Sequence, residues 1–386
     1  MLQPLRYRWR ALAAALLAAM TVVAPAGAAS GRAALVGNVP PWAQTTALQA
    51  AANPADDVGF RVYLNWHNAA ALTSLARAVS DPADPSYGQF LTPAQFHQQF
   101  APTQAEVNAV KSWLSGQGFS VVYVPGNNHY VAAEGTVAQA AAAFDTVFGL
   151  YTVGGLTLRA PERDLSAPAA IAPLISGIIG LDDSAQLVHT DRAGGQEPGA
   201  PPSPAFVSAP PCSTFWAEQP AIGFPNPYGP GQLPYTPCGY TPQQIKGAYG
   251  LTNAPEDGSG QTVAVIDAYA SPTIVQDVNQ WSVNRALPAL RPNQFSEVVA
   301  PGTFRHPEAG QKQDPQGWYG EETLDIEAVH GMAPGATIVY VGAPNNFQDL
   351  DAALNDVVDR RLARIVSNSY GFPTELLPSG FVNPLE

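Results

Sequence analysis

The stretch Gln261-Thr262-Val263-Ala264-Val265-Ile266-Asp267 is an apolar run that ends on a carboxylate. Apolar residues in succession, without alternation with polar ones, indicate a strand that is buried on both faces, as in a parallel sheet. The turn sequence Gly258-Ser259-Gly260 precedes it. Asp267 would lie at the carboxyl end of the strand, where open α/β sheets place their ligand sites. By itself, an aspartate in this position is more simply interpreted as a loop or cap residue.

The segments that follow this strand continue an alternation of helix and strand. Helices are predicted at 272–284, 321–331 and 346–360, and strands at 295–299, 337–341 and 364–369. Strands that alternate with helices predict a doubly wound parallel α/β domain. The alternation extends to the end of the sequence, so we expect residues 240–386 to form the N-terminal part of such a domain.

The helix predicted at 321–331 carries two acidic residues on one face. Glu321 and Asp325 are four positions apart, so their carboxylates lie one above the other at 3.6 residues per turn. On a surface helix such a pair is unfavourable by roughly 0.2–0.5 kcal/mol. The pair is therefore either exposed to solvent and without a role, or it takes part in the function of the protein. The strand predicted at 337–341 follows directly, which places the start of the helix near the carboxyl edge of the sheet.

The N-terminal half has a different pattern. It predicts a strand at 58–64, a helix around 72–79, and further helices that begin near Thr92-Pro93 and Thr103. A hairpin follows at 119–133, then a helix at 136–148 and strands at 150–153 and 156–159. If one insertion is ignored, the order is β-α-β-β-α-β, which is typical of a ferredoxin-like α+β sandwich.

The first residues indicate export. Arg6, Arg8 and Arg10 precede an apolar run at 11–23 and the small residues Ala26-Gly27-Ala28, a pattern typical of a secretory signal peptide that is cleaved after Ala28. The apolar run is shorter than the roughly 20 residues that cross a bilayer, which disfavours a retained anchor. We therefore expect a secreted protein, extracellular or periplasmic, with no membrane association after cleavage.

A region rich in Pro and Gly separates the two patterns and contains both cysteines of the chain, Cys212 and Cys238. In an exported protein a disulfide between them is more plausible than two free thiols. The expected organisation is a signal peptide (1–28), an N-terminal domain (29–185, with its core at 58–183), a linker (186–239) and the α/β domain (240–386).

Composition and motifs exclude several classes of function. The net charge of −13 has the wrong sign for a nucleic-acid binder, and a charged content of only 13% with 46% hydrophobic residues disfavours a disordered chain. The six histidines have no metal-ligand spacing and the cysteines form no CxxC pair, so no metal site is predicted. Phosphate-binding glycine motifs and GxSxG are absent from the sequence.

The helix at 321–331 also carries a resemblance. Gly-Glu-x-x-Leu-Asp-Ile-Glu at 320–327, followed by Ala-Pro-Gly-Ala at 333–336, resembles the sedolisin family of serine-carboxyl peptidases, a group with a subtilisin-like fold. The segment at 86–96, with Ser-Tyr-Gly-Gln-Phe-Leu-Thr-Pro, is similar to the pro-kumamolisin activation domain. Residues 240–250 are similar to the start of the family's catalytic domain, and 365–371 to its substrate-lining strand.

The resemblance implies roles for particular residues. Glu321 would be the general base for a serine nucleophile and Asp325 the residue that orients it, while Ser369, Tyr370 and Gly371 would line the substrate cleft. A histidine with a pKa near 6.5 is protonated in acid, whereas a glutamate with a pKa near 4.3 stays partly ionised well below that. Two adjacent carboxyls titrate as a coupled pair. The implied function is an acid-acting endopeptidase zymogen whose prodomain inhibits it intramolecularly and whose substrates are proteins or peptides.

The sequence also departs from the family pattern. The Gly-Thr-Ser segment of the nucleophile and the Gly-Asp-Ser-like segment of the oxyanion hole do not occur in it. On this resemblance the catalytic domain is partial, the chain on its own is inactive, and it holds no cofactor. The family's calcium site would lie in the missing C-terminal part.

Two alternatives remain open. The chain is a secreted fragment without activity that acts only through a binding or inhibitory prodomain, or it is an ordinary subtilase that uses Asp267 and His330. The second alternative places its base at the wrong end of the helix, because His330 is beside Gly331 and far from the helix start.

Overall fold

A computed structural model describes residues 31–190, 218–223, 226, 230–235, 241–300, 315–346, 349–371 and 377–379. The predicted signal peptide, Cys212 and Cys238 lie outside these residues. Among the described residues, no helix is both long and apolar enough to cross a membrane.

The N-terminal unit is a mixed α/β structure. Its first elements are β1 (Arg32–Leu35), β2 (Leu48–Ala51), β3 (Asp57–Leu64), α1 (Ala69–Ser80), α2 (Pro93–Phe100), α3 (Gln104–Gly116) and β4 (Ser120–Tyr123). They are followed by β5 (Tyr130–Thr136), α4 (Val137–Phe144), β6 (Phe148–Val153), β7 (Leu156–Pro161), β8 (Leu165–Pro168), β9 (Ile175–Ile179) and β10 (His189–Thr190).

Thr side chains begin three of these helices. Thr92, Thr103 and Thr136 each accept a hydrogen bond from the backbone N–H three residues later, and the Gln or Glu at that position reaches back to the Thr backbone. These capping boxes satisfy N–H groups that the first helical turn leaves unpaired. They explain why the sequence locates these helix starts well.

The main sheet of this unit is antiparallel, with the strand order β4-β5-β3-β9. The fourth strand of the predicted β-α-β-β-α-β order is therefore β9, and not the segment near residue 150. That segment forms β6, which pairs with β2 and β7 in a separate sheet. The helix before it ends at Phe144, because Asp145 adopts a left-handed conformation.

Both faces of β3 are buried. Val58, Phe60 and Val62 pack with α3 and α4 in the core of the unit. Arg61 and Tyr63 point to the opposite face, since side chains alternate along a strand, and they are also buried. The second face is covered by the C-terminal unit.

The C-terminal unit is built on a parallel sheet. Its elements are α5 (Pro242–Ala248), β11 (Thr262–Ala268), α6 (Ile274–Asn284), β12 (Phe295–Val299), α7 (Pro315–Met332), β13 (Thr337–Ala343), α8 (Leu350–Arg360), β14 (Ile365–Asn368) and β15 (Tyr370–Gly371). The order β12-β13-β11-β14 is parallel throughout.

Helices cover both faces of this sheet. Val265 of β11 packs with α6 and α7 on one face, and Ile266 packs with α8 on the other. The apolar run that predicts a strand buried on both faces is confirmed. Helix α7 begins at Pro315, six residues before the predicted start at Glu321. Glu321 therefore lies in the interior of the helix and not at its first turn.

The two units meet through a buried polar cluster at the start of α8. The Arg61 guanidinium forms ion pairs with Asp349 and with Asp351, the latter at 3.1 Å, and the Tyr63 hydroxyl donates to Asp351. Asn127 donates to the side chain of Asn355 at 2.7 Å. We call Arg61, Tyr63, Asp349 and Asp351 the docking cluster.

His129 lies at the same junction, and burial lowers its pKa to about 4. Its ring stacks on Trp66 at 4.1 Å and hydrogen-bonds to Asn355. Because its pKa in the unfolded chain is near 6.5, the unfolded state takes up a proton first as the pH falls. Stability contributed by neutral His129 is complete above about pH 6.5 and is lost as the pH falls toward 4.

We expect wild type to lose about 3 kcal/mol of unfolding free energy between pH 7 and pH 4 through His129. His129→Gln should lack this contribution, which urea titrations at the two pH values measure. His97→Gln is the matched control, because His97 is exposed. An equal pH dependence in wild type and His129→Gln would contradict the assignment.

Candidate active site

Glu321 and Asp325 project from successive turns of α7 into the protein interior. Glu321 is fully buried and Asp325 is 6% exposed. Asp267, at the carboxyl end of β11, is also fully buried, and the charges of Glu321 and Asp325 act on it. The solvated helix face is thus excluded as an interpretation of the acidic pair. We call Asp267, Glu321 and Asp325 the carboxylate cluster.

Asp267 is the neutral member of the carboxylate cluster near pH 7. Its pKa is raised to about 9, mainly by burial and further by the negative charges of Asp325, Glu321 and Glu322. Neither of its oxygens has a hydrogen-bond partner among the described residues. A carboxyl group in such surroundings stays protonated in acid and at neutral pH, which reduces the charge of the cluster.

Ser369, one of the three residues expected to line a cleft, lies beside the cluster. Ser369 separates β14 from β15, and its hydroxyl donates a hydrogen bond of 2.8 Å to Asp325 Oδ1. Tyr370 and Gly371 form β15 itself. The fold brings Ser369 into contact with Asp325, and this contact has no sequence signal.

Strand β15 is paired with the end of the N-terminal unit. His189 lies opposite Gly371 and Thr190 lies opposite Tyr370, in antiparallel register. Helix α7, which carries the acidic pair, also contacts β10. A short extended segment therefore pairs with β15 in the way that a peptide binds by adding a strand.

Comparisons with known proteins show which proteins the chain resembles. Residues 44–184 match the model of the pro-kumamolisin activation domain. Over 316 residues the chain is 24% identical to sedolisin of Pseudomonas sp. (strain 101), which covers 81% of this chain and 47% of that protein. It is 25% identical over 319 residues to xanthomonalisin of Xanthomonas sp. (strain T-22), covering 80% and 34%. Kumamolisin of Bacillus sp. (strain MN-32) is 28% identical over 221 residues, covering 55% and 32%.

The chain is similar to members of the sedolisin family. The match to sedolisin and xanthomonalisin extends over both units, whereas the activation-domain match is confined to the first. The chain spans about half the length of sedolisin and about a third of xanthomonalisin and kumamolisin.

Glu322 is a further buried carboxyl of the sedolisin-like unit. From the sequence alone, Glu322 and Glu327 are expected to point around the helix away from the pair, so that replacing them matters less. In the structure Glu322 is fully buried and accepts a 2.5 Å hydrogen bond from the backbone N–H of Ser271. Burial raises its pKa to about 8. Glu322 therefore fixes the loop that follows β11. In the sequence, the only sign of this role is the unusual density of acidic residues in the helix.

His330 does not join the carboxylate cluster. It is buried near the end of α7, about 7.5 Å beyond Asp325 along the helix axis. Its Nε2 hydrogen-bonds to the carbonyl oxygen of Pro288 at 2.7 Å. This geometry gives no support to a subtilase site made from Asp267 and His330.

The described residues contain no group of His, Cys, Asp or Glu side chains that would hold a metal ion. The family resemblance places its calcium site outside these residues, and that site stays a prediction.

The buried carboxyls of the carboxylate cluster make the fold more stable in acid than at neutral pH. Asp267 is protonated in the native state up to about pH 9, while in the unfolded chain it ionises near pH 4. The stability linked to this group is therefore complete below about pH 4 and is lost as the pH rises toward 9. Glu322 and Glu327, whose pKa values burial raises to about 8, contribute with the same sign.

We expect Asp267→Asn to raise the unfolding free energy at pH 7 by a few kcal/mol, and to leave it almost unchanged at pH 4. The amide keeps the shape of the carboxyl and cannot ionise. Urea unfolding at the two pH values measures the difference. Glu256→Gln, at an exposed site, is the control. Equal effects of Asp267→Asn at both pH values would contradict the assignment.

Proposed function

We propose that this chain is part of the zymogen of a secreted, acid-acting serine-carboxyl endopeptidase. One observation carries the proposal: the buried pair Glu321 and Asp325 lies beside β15, and β15 is paired with the end of the N-terminal unit. The similarity to sedolisin and xanthomonalisin supports it.

In this proposal Glu321 is the general base that takes the proton of a serine hydroxyl, and Asp325 orients it. A carboxylate base suits acid, because an unperturbed glutamate titrates near 4.3 and a histidine near 6.5. Asp267, which burial keeps protonated, adds no negative charge to the pair. The pair then retains the single proton acceptor that the reaction needs.

Substrates are proteins or peptides that add a strand to Tyr370 and Gly371. The backbone of β15 supplies hydrogen bonds that do not depend on side-chain identity, while Ser369 lies at the end of this strand next to the acidic pair. The N-terminal unit is the intramolecular inhibitor. Residues 189–190 hold the place of a substrate strand, and processing within the linker at 186–239 releases it.

The serine nucleophile and the calcium site belong, in this proposal, to polypeptide outside residues 1–386, so that this chain on its own does not hydrolyse peptides. We further propose a ferredoxin-like class for the N-terminal unit, on the antiparallel order β4-β5-β3-β9, and a subtilisin-like class for the parallel one. Export follows from the predicted signal peptide.

The proposal is tested by assaying two proteins with an unfolded protein substrate near pH 4, with mass spectrometry of the products. The first is the chain of residues 1–386, and the second is a protein whose coding sequence continues into Gly-Asp-Ser and Gly-Thr-Ser segments. Cleavage by the second alone is expected, together with self-cleavage between the two units. A coding sequence that stops after Glu386, with no cleavage at any pH, would instead support a binding or inhibitory prodomain protein.

A further inference from the structure

Ser369 occupies the break between two short strands of the C-terminal unit. Strand β14 ends at Asn368 and β15 begins at Tyr370. The Ser369 hydroxyl is partly buried and donates a hydrogen bond of 2.8 Å to Asp325 Oδ1, across 44 residues of sequence. A strand serine would ordinarily donate to water or to nearby backbone, so this contact with a buried carboxyl needs a physical account.

The hydrogen bond from Ser369 stabilises a carboxylate that has another carboxylate close by. Asp325 shares its surroundings with the carboxylate of Glu321 on its own helix, and with the protonated Asp267 of β11 and Tyr340 of β13. Like charges drive such side chains apart or make them take up a proton. A hydroxyl donor favours the ionised form of Asp325 and fixes one of its oxygens in space.

We propose that Ser369 is a positioning residue for Asp325, which holds the orientation of its carboxyl group and favours its ionised form. This inference rests on the proposed function of the acidic pair. It gives the Ser369 side chain a role that differs from lining the substrate cleft. Its backbone neighbours Tyr370 and Gly371 remain the strand to which a peptide adds.

The position of Ser369 couples two parts of the site. Tyr370, the next residue, pairs with Thr190 through β15 and β10. An extended segment on β15 restrains the backbone beside Ser369, and Ser369 in turn restrains Asp325. The strand that holds the peptide and the carboxyl that orients the base are thus connected by one side chain.

The test is a titration of the full 386-residue chain, followed by carboxyl ¹³C resonances of labelled aspartate, with Asp325→Asn to assign the signal. In Ser369→Ala the titration midpoint of Asp325 should move upward by about one pH unit, since the ionised form loses a donor. Ser369→Thr keeps the hydroxyl and should keep the midpoint of wild type. Ser367→Ala, two residues earlier on β14, is the matched control and should leave the midpoint unchanged.

Two outcomes would overturn the inference. The first is an unchanged midpoint of Asp325 in Ser369→Ala. The second is an equal shift in the Ala and Thr variants, which would mean that the hydroxyl is not what Asp325 senses.

A separate variant distinguishes this inference from the proposed function. Glu321→Gln removes the neighbouring charge and should lower the midpoint of Asp325 if the two carboxyls are coupled. If the midpoint of Asp325 is unchanged in Glu321→Gln but moves upward in Ser369→Ala, the two carboxyls are not coupled. That result would contradict the acidic pair and leave the positioning contact intact. The reverse result would contradict the positioning contact alone.

Discussion

Glu321→Gln should reduce peptide hydrolysis by at least about a thousandfold in the complete, serine-containing form of the protein, because the substitution removes the proton acceptor. Gln has the shape of Glu, so the packing of the fully buried side chain is kept. The variant should also fail to process itself, so that the two units remain in one polypeptide. The loss is measured as kcat/KM near pH 4, with the folded state checked by circular dichroism.

Glu327→Gln provides the matched control for this experiment. Glu327 lies on the same helix, is half-buried, and has Arg285 and Asp277 as its charged neighbours. The same chemical change there should leave kcat/KM within about threefold of wild type, since Glu327 has no part in the proposed chemistry. Equal losses in the two variants would mean that α7 tolerates no such substitution, and activity retained in Glu321→Gln would refute the base.

Arg61→Met should lower the unfolding free energy by about 3–5 kcal/mol at pH 7, because it leaves Asp349 and Asp351 of the docking cluster buried without a cation. The Arg61 side chain is only 1% exposed, so water cannot replace it as the partner of the two carboxylates. Burial raises the pKa of Asp351, so protonation of that carboxyl should relieve part of the loss, which points to the lower end of the range. Urea unfolding measures the change.

Arg163→Met is the control for Arg61→Met. Arg163 pairs with Asp145 at 3.4 Å, with side chains that are 58% and 64% exposed, so its removal should cost less than about 1 kcal/mol. The triple variant Arg61→Met, Asp349→Asn, Asp351→Asn should recover much of the lost stability, because no uncompensated charge remains. A loss below 1 kcal/mol in Arg61→Met would show that the docking cluster does not hold the units together.

The sequence predicts those parts of the fold that rest on local signals. The apolar run before Asp267 identifies a central parallel strand, and Thr capping boxes locate three helix starts in the N-terminal unit. Helix α7 begins earlier than predicted: Pro315 is compatible with a first helical turn, and the helix continues through Gly317 and Gly320, which local propensity disfavours. Helix existence was thus predictable, and its boundary was not.

Contacts across long stretches of sequence were not predictable. Pairing of Thr190 with Tyr370 involves two-residue strands, which have no periodicity to detect. Arg61 in an apolar strand signals that a buried carboxylate is needed, but nothing local identifies Asp349 as that partner. Burial of Glu322 likewise depends on how α7 packs against the loop at Ser271.

The dependence of kcat/KM on pH tests the central claim, that a carboxylate pair and not a histidine activates the nucleophile. The account predicts activity that persists as the pH falls through 6–7 and declines only when the coupled carboxyls take up their protons, around pH 4 or below. Activity that falls tenfold per pH unit on acidification from pH 7 would contradict it, because that profile belongs to a histidine base.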